Sequence, residues 1–198
     1  MPGLTWHFKA MTKEKLEEVK KRYISHIKNY VVGAGSLFPH ISILGTHKDD
    51  EDKSAIIHIP IPGKFMEADS KKDEFLDDIL PEIAKKVREN FNIGAVAWAA
   101  EAWMRTMGKD EYIPGVTDYK TLPIKKEVII LTFESADDHQ AMIFELKRLG
   151  KKVNEEGELI DQIELYEQPE LSSGSPTSVG GRFTGLYKRI TDLPEDSN

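Results

Sequence analysis

The sequence predicts a single α+β domain in which two long helices pack on a mixed or mostly antiparallel sheet of about six strands. Three observations support this prediction. Apolar residues recur at helical spacing in two long segments, and later segments are continuously apolar or alternate as β-strands do. The chain has 198 residues, which is the size of one domain. The later strands follow one another closely, as in an antiparallel meander.

The first predicted helix runs from Thr12 to Asn29. Its apolar residues recur at steps of three and four, which places them on one stripe facing the core. These residues are Leu16, Val19, Tyr23, Ile27 and Tyr30. Thr12 is the expected N-cap, because its hydroxyl can accept a hydrogen bond from the first turn, and Gly33 and Gly35 mark the exit.

The second predicted helix covers residues 72–90, with an apolar stripe and a capping pair formed by Ser70 and Asp73. Pro81 lies inside this pattern. We expect it to kink or restart the helix, because proline removes a backbone hydrogen bond and clashes with the preceding turn.

Two strands are predicted between these helices. Residues 40–44 follow Pro39, which favours an extended backbone. Residues 55–61 form the second strand, and Pro60 inside it cannot donate a ladder hydrogen bond, which places this strand at a sheet edge. Residues 93–105 follow the second helix and are apolar on both faces, so we expect a central strand covered on two sides. The alanines of this strand predict a helix packed close against it.

The remaining strands are predicted over residues 127–134, 140–148 and 159–167. Charged or polar turns at 135–139 and 149–157 join them. We expect each strand to lie beside its predecessor in the chain.

The connector 106–126 contains glycine and proline and is predicted to be a long loop. Residues 1–167 are therefore the predicted α+β domain, residues 168–181 a Gly/Ser/Pro-rich loop, and residues 182–198 a C-terminal anchor and tail. We expect the anchor to dock on an apolar surface through four residues. They are Phe183, Leu186, Tyr187 and Ile190.

Composition excludes several classes of site and partner. The chain has no cysteine, which excludes disulfides, thiolate metal sites and cysteine nucleophiles and suits a reducing compartment. Its net charge of −7 argues against a general nucleic-acid binder. No apolar run approaches the ~20 residues of a membrane span, and the N-terminus lacks the apolar stretch of a signal peptide. We therefore predict a cytoplasmic protein without a membrane partner.

Familiar catalytic and cofactor motifs do not occur in the sequence. The segment GAGS at residues 33–36 lacks the Lys-Ser/Thr pair of a phosphate-binding loop. The chain holds neither an HExxH zinc motif nor a Gly-x-Ser-x-Gly nucleophile motif. The sequence therefore predicts no cofactor and no metal ion.

Histidines are the first candidates for a site. His40 and His47 are seven residues apart, so an extended strand would place them on opposite faces. His58 lies on the next strand, and a two-histidine metal site formed by His40 and His58 across the hairpin is geometrically possible. The alternative is that both are ordinary hydrogen-bonding residues at the rim of the sheet, and we favour this interpretation.

Glu101 is the most informative residue, because a carboxylate in a strand of Ala, Val, Trp and Met must find donors or stay protonated. We expect it to be about three-quarters buried or more and bonded to a donor from another strand. One hypothesis makes Glu101 a general base or metal ligand in a pocket floored by Trp103. His40, His58 or Arg105 would then contribute to catalysis. The other hypothesis, which we favour, makes Glu101 a buried structural anchor.

The segments GAVAWAAEAWM and KKEVIILTFES resemble a loose group of uncharacterised bacterial and phage proteins. That group shares an Ala-rich strand ending in Glu-Ala-Trp, followed by a strand that begins Glu-Val. The match runs over residues 36–150 and rests on Pro39, on Glu101-Ala102-Trp103 and on Glu127 to Leu131. The resemblance implies the same order of elements and a central place for Glu101 and Trp103, and it implies no activity.

The function that we favour from the sequence is a non-enzymatic interaction or assembly protein of phage type. Such a protein would form a homo-oligomer or bind a host or virion protein. The absence of a catalytic motif supports it, as does an uneven charge: residues 1–30 hold seven basic and three acidic side chains, and residues 154–198 hold three and ten. The alternative is a small hydrolase or ligand-binding enzyme centred on Glu101 with a nearby histidine. A pocket that joins the two would favour the alternative.

Overall fold

The computed structural model describes residues 11–50, 52–105, 123, 126–169 and 183–192. In these residues the chain forms one six-stranded sheet with helices on both faces, which confirms the predicted single-domain α+β fold. The helices are α1 (Lys13–Ala34), α2 (Asp69–Glu74), α3 (Leu80–Asn90) and α4 (Leu186–Thr191). The strands are β1 (His40–His47), β2 (Ser54–Pro60), β3 (Phe91–Met104), β4 (Lys126–Ser135), β5 (His139–Val153) and β6 (Leu159–Glu167).

The sheet has the strand order β2-β1-β3-β4-β5-β6, and every neighbouring pair is antiparallel. The strand with two apolar faces, β3, is central, as the sequence predicts. The strand that contains Pro60, β2, lies at one edge, also as predicted. The other edge is β6.

One face of the sheet is covered by α1 and is called the α1 face. Thr12 caps the helix by accepting a hydrogen bond of 3.3 Å from the Lys15 N–H. Gly35 ends the helix with a left-handed φ of 78°, which favours glycine. The apolar stripe of α1 packs on small side chains of β3, and these let the helix approach the sheet closely. They are Ala95, Ala97 and Ala99.

The opposite face, called the α4 face, is covered by residues 69–90 and by α4. A π-helical turn, Phe75–Ile79, separates α2 from α3. Pro81 then lies in the first turn of α3, directly after the π-helical turn, so the regular α-helix begins again beside this proline, as the predicted restart requires. The predicted capping pair of Ser70 and Asp73 is wrong, because α2 already begins at residue 69 and has no side-chain cap.

The C-terminal helix packs its apolar residues on the α4 face, where Leu186 and Ile190 are buried. Phe183, just before α4, stacks on Trp98 of β3 with ring centroids 5.1 Å apart. The carboxylate of Glu134 accepts hydrogen bonds from two backbone N–H groups at the start of α4, at 2.8 and 3.0 Å. These contacts hold the described part of the C-terminal segment to the sheet.

The fifth strand is longer than the sequence predicts. The predicted charged turn over residues 149–157 is wrong in its first half, because β5 continues to Val153 before the chain reverses. The charged residues of this region pair across strands instead of marking a loop. Arg148 and Lys151 of β5 both contact Asp161 of β6.

Most of the predicted connector 106–126 and of the predicted loop 168–181 lies outside the described residues, as does the tail after residue 192. The hairpins β1–β2, β4–β5 and β5–β6 have short connections, as is usual for antiparallel neighbours. Within the described ranges, no helix has the length and apolar content needed to cross a membrane.

Candidate functional site

An open cleft of about 360 Å³ lies where the second half of α1 faces the β1–β2 edge of the sheet. We call it the histidine cleft, because three imidazoles belong to its lining. The residues that define it are His26, Tyr30, Leu37, Phe38, His40 and His58.

Helix spacing and strand register bring the polar groups of this site together. Tyr23 and His26 are three residues apart in α1 and therefore lie at neighbouring positions on one face of the helix. His40 and Ser42 are two residues apart in β1 and point to the same face of the sheet. Antiparallel pairing places Ser42 opposite His58 of β2. Three elements thus contribute polar side chains to one place.

Four of these side chains form a continuous chain of hydrogen bonds, which we call the His58–His40 chain. His58 Nδ1 lies 2.8 Å from Ser42 Oγ, and Ser42 Oγ lies 3.3 Å from Tyr23 Oη. Tyr23 Oη lies 3.1 Å from His40 Nε2. At the far end, His40 Nδ1 lies 2.9 Å from the backbone carbonyl oxygen of Phe38. Tyr23 and Ser42 are fully buried, whereas His58 reaches the cleft.

Burial keeps the ionisable groups of this chain neutral near pH 7. Desolvation raises the pKa of Tyr23 well above its usual range. Desolvation also lowers the pKa of His40. It lowers the pKa of His58 to about 4, helped by the neighbouring imidazoles of His40 and His26. A neutral histidine has one N–H and one ring nitrogen with a lone pair, so each ring can donate through one nitrogen and accept through the other.

The ring of His58 contacts three other rings. His26 stacks on it with centroids 5.3 Å apart, and Tyr23 stacks on it at 5.9 Å. The ring of His40 stands edge-on to it at 5.4 Å. The rim of the cleft carries two further aromatic rings, Tyr30 and Phe38, which are 43% and 71% exposed. The cleft therefore offers flat, largely apolar surface around the two exposed imidazoles of His26 and His58.

The structure brings His40 and His58 together across the β1–β2 hairpin, as the sequence allows. Both ring nitrogens of His40 are engaged, by Phe38 and by Tyr23, so His40 keeps no lone pair for a metal ion. The described residues contain no group of three or more His, Cys, Asp or Glu side chains placed to hold a metal ion. His47 is not in the lining of the cleft; it lies at the other end of β1, where its ring contacts Phe91 of β3 at a tilt, with centroids 4.2 Å apart.

Glu101 is not in the lining of the cleft, but it contacts Leu37, which is. Its Oε1 accepts a hydrogen bond of 2.6 Å from the backbone N–H of Leu37, and its side chain is 25% exposed. Burial raises the pKa of this carboxyl group, and the Leu37 N–H and the Arg148 guanidinium oppose the rise. The sequence predicts a donor from another strand, whereas the donor at hydrogen-bond distance belongs to a loop. The reason is the register that sets His40 opposite Ala99, which brings the residues before β1 beside Glu101.

A charged cluster centred on Arg148 of β5 adjoins Glu101. The guanidinium makes a two-pronged contact with Glu127, at 2.9 Å from Nε and 2.6 Å from Nη2, and also contacts Asp161. Its Nη2 lies 3.7 Å from Glu101 Oε2. Its Nη1 donates to the backbone carbonyl of Gly35 at 3.0 Å. Arg148 of β5 therefore connects β3, β4 and β6 to the C-terminal end of α1.

The charged cluster fixes the short segment 35–38 at two points. Arg148 holds Gly35, and Glu101 holds Leu37. The same segment supplies the side chains of Leu37 and Phe38 to the cleft and the Phe38 carbonyl to the His58–His40 chain. Glu101 and Arg148 therefore act on the cleft as positioning residues.

The other sequence candidates lie apart from this arrangement. Trp103 is 62% exposed and is not in the lining of the histidine cleft, so it does not form its floor. Arg105 follows the end of β3 and is not in that lining either. The guanidinium that lies near Glu101 belongs to Arg148 of β5, with Nη2 3.7 Å from Oε2.

Sequence reasoning missed Tyr23 and Ser42, the two residues that connect the histidines. The signal for Tyr23 is a hydroxyl-bearing ring in the middle of an apolar helix stripe, three residues before a histidine. The signal for Ser42 is a small polar residue between two isoleucines and two residues after a histidine. Each is a polar group that burial obliges to find a partner.

Comparisons with protein-family models, curated proteins and solved structures give no match for this chain. The resemblance to bacterial and phage proteins therefore stays a prediction. The function is argued from the geometry of the cleft alone.

Proposed function

We propose that the protein binds a small, uncharged and largely apolar molecule in the histidine cleft. The observation that carries this proposal is the meeting of two features at one place: exposed aromatic surface at the rim, and a buried hydrogen-bond chain that reaches the cleft at His58. Ligand sites in proteins combine apolar walls with a few convergent polar groups, and the volume of about 360 Å³ lies in their usual range.

The two imidazoles of the hydrogen-bond chain, His40 and His58, favour an uncharged ligand. The lowered pKa values of His40 and His58 leave both imidazoles neutral near pH 7, so they supply no cation for an anionic group. The exposed rings of Tyr30 and Phe38 instead offer faces on which a flat group can stack. A ring-sized molecule fits this chemistry better than a phosphate or a carboxylate does.

The test is a titration with 4-methylphenol followed by amide and side-chain NMR shifts. We expect shifts confined to the lining of the cleft and a Phe38→Ala variant that binds about threefold to tenfold more weakly, because one wall of stacking surface is lost. Trp103→Ala is the matched control, since it removes an exposed ring outside the cleft. Shifts that cluster elsewhere, or equal losses in the two variants, would contradict the proposal.

A second candidate function is assembly with another copy of the chain through β6. The β5–β6 hairpin carries several exposed apolar side chains, and β6 is an edge of the sheet that the described residues form, where backbone donors and acceptors can pair with another strand. The exposed residues are Leu149, Val153, Leu159 and Tyr166. This candidate continues the interaction function favoured from the sequence.

The charges of β6 are compatible with such pairing. In a two-fold antiparallel arrangement centred on Ile163, Glu164 faces Gln162 of the other copy. In the same arrangement Asp161 faces Leu165. No two carboxylates of β6 then lie directly opposite each other, which avoids the like-charge contacts that destabilise strand pairs.

Light scattering at increasing protein concentration tests this candidate. A dimer is expected for the wild type, and Leu159→Glu together with Tyr166→Glu is expected to give a monomer, because the added charges repel across the two-fold axis. Trp103→Glu adds a comparable charge away from the hairpin and should leave the dimer intact. A wild-type protein that is monomeric at every concentration would rule out assembly through β6.

A further inference from the structure

We propose that the histidine cleft selects molecules that carry a hydrogen-bond donor, an O–H or N–H, on an apolar body, because the chain fixes the free ring nitrogen of His58 as an acceptor. Phenols are the simplest members of this ligand class. The inference rests on the proposed ligand-binding function and adds the chemical group that the cleft recognises.

The direction of every hydrogen bond in the His58–His40 chain follows from its inner end. The backbone carbonyl of Phe38 can only accept, so the proton of His40 is on Nδ1. His40 Nε2 then carries a lone pair and must accept from the hydroxyl of Tyr23. The two ends of the His40 ring are therefore assigned by the hydrogen-bond network.

The same logic continues outward to the cleft. The hydroxyl proton of Tyr23 is used on His40, so the Tyr23 oxygen must accept from Ser42. The hydroxyl proton of Ser42 is then used on Tyr23, so Ser42 Oγ must accept from His58 Nδ1. Each of the four contacts receives one proton, and no other arrangement of neutral side chains supplies all four. Nε2 of His58 is consequently unprotonated, and its lone pair can accept a hydrogen bond from a ligand.

The surroundings of His58 favour the neutral form of its ring over the imidazolium. The titratable groups that face it are His26 and Tyr23 from α1 and His40 from β1. None of them supplies a negative charge that would stabilise an imidazolium, and burial and the neighbouring imidazoles lower the pKa of His58 to about 4. Arg22, a charged residue of α1, reaches β2 at Ser54, at the opposite end of that strand.

The cleft should therefore prefer a ligand with an O–H over an ether of the same shape. A ligand O–H can donate to His58 Nε2, whereas an ether of the same outline presents only a lone pair to another lone pair. Sites built for a hydrogen bond reject analogues that lack the matching group, because a polar atom is then left unpaired. In this open cleft we expect a discrimination of about tenfold.

The binding test compares 4-methylphenol with 4-methylanisole, its methyl ether, on the wild-type chain. We expect the phenol to bind about tenfold more tightly. In Ser42→Ala, His58 Nδ1 loses its acceptor, the ring can take either tautomer, and the ratio should fall toward one. Ser54→Ala is the matched control, because it removes a hydroxyl from β2 that bonds to Arg22 and lies outside the chain. If Ser42→Ala fails to fold, Tyr23→Phe interrupts the chain one link further in.

A second measurement needs no ligand. The ¹⁵N shifts of the two ring nitrogens of His58 report which one is protonated, and we expect the proton on Nδ1 in the wild type and a mixture in Ser42→Ala. A proton on Nε2 in the wild type would overturn the inference. So would equal binding of phenol and ether in the cleft, although the proposed function would survive. Absence of binding by both probes would instead overturn the proposed function, whatever the ¹⁵N shifts show.

Discussion

The two faces of the sheet bury similar apolar side chains but treat buried polar atoms differently. On the α1 face, the side chains of Tyr23, His40 and Ser42 are joined in one hydrogen-bond chain. On the α4 face, Trp98 Nε1 and Thr132 Oγ1 are buried with no hydrogen-bond partner among the described residues. These two residues are direct neighbours across the β3–β4 ladder.

The difference shows what each face contributes. The α4 face is an apolar surface that holds the helices to the sheet, and the unpaired atoms of Trp98 and Thr132 carry a cost that the packing tolerates. The α1 face places its polar atoms in sequence from the Phe38 carbonyl to an exposed imidazole. Buried polar residues alone would not distinguish the two faces. What distinguishes the α1 face is that its buried polar residues are connected by hydrogen bonds to a cleft, and the following predictions test that contrast.

The largest effect is expected on the α4 face from Leu186→Ala. Leu186 is 1% exposed and packs in the apolar cluster of that face, so the variant creates a cavity. The free energy of unfolding should fall by about 2–5 kcal/mol in urea denaturation. The control Leu159→Ala truncates a side chain that is 67% exposed and should change it by less than about 0.5 kcal/mol. Equal effects of the two variants would show that α4 does not stabilise the sheet.

The sequence predicts the elements better than it predicts the site, for a physical reason. Helices and strands follow from the period of apolar residues, and the edge position of β2 follows from Pro60. The meeting of His40 with His58 also follows from hairpin pairing, because only one short turn separates their strands.

The remaining parts of the site depend on packing between distant segments. Tyr23 and Ser42 meet only because α1 packs over this face of the sheet, and no local pattern fixes where along the sheet it packs. Arg148 ends a strand that the sequence predicts, but Glu101 lies two strands away on β3, so their approach depends on the registers of the β3–β4 and β4–β5 pairs. Long-range contacts of this kind are set by the whole fold.

The next effect concerns the positioning of the cleft by Glu101. Glu101→Leu removes the acceptor of the Leu37 N–H and leaves a partly buried donor unpaired, which should lower the free energy of unfolding by about 1–3 kcal/mol. Glu101→Gln keeps an acceptor and should cost less than about 1 kcal/mol. Binding of 4-methylphenol should weaken in the Leu variant and persist in the Gln variant. A harmless Glu101→Leu would show that the segment before β1 is held by other contacts.

The pH dependence of stability should carry a smaller effect from the α1 face. The pKa of His58 is lowered in the folded state from 6.5 to about 4, so the unfolded chain binds the proton first as the pH falls. The contribution of neutral His58 to the free energy of unfolding is therefore fully present above pH 6.5 and is lost as the pH drops toward 4. The ring is partly exposed, and solvent screening reduces the loss to about 1 kcal/mol.

The measurement for this pH effect is urea unfolding at about pH 7 and about pH 4 for the wild type and for His58→Gln. The wild type should lose more stability on acidification than the variant does. Carboxylates that titrate in the same range are common to both proteins, so the difference between the two isolates the histidine. An identical loss would mean that His58 is not desolvated by the fold.

The smallest effect is expected from Thr132→Val, and the comparison of this variant with Ser42→Ala tests the contrast between the two faces most directly. The Thr132 hydroxyl has no partner within the described part of the chain, and valine has nearly the same shape, so its removal should be neutral or slightly stabilising. Ser42→Ala removes one buried hydroxyl as well, but it leaves Tyr23 and His58 each short of a partner. Its cost should be about 1–2 kcal/mol in the same urea experiment. Each variant deletes one buried oxygen from a central part of the sheet, so burial alone would make the two costs equal. A clear difference between them would therefore measure what the connected chain contributes, and equal costs would reduce Ser42 to an ordinary core position.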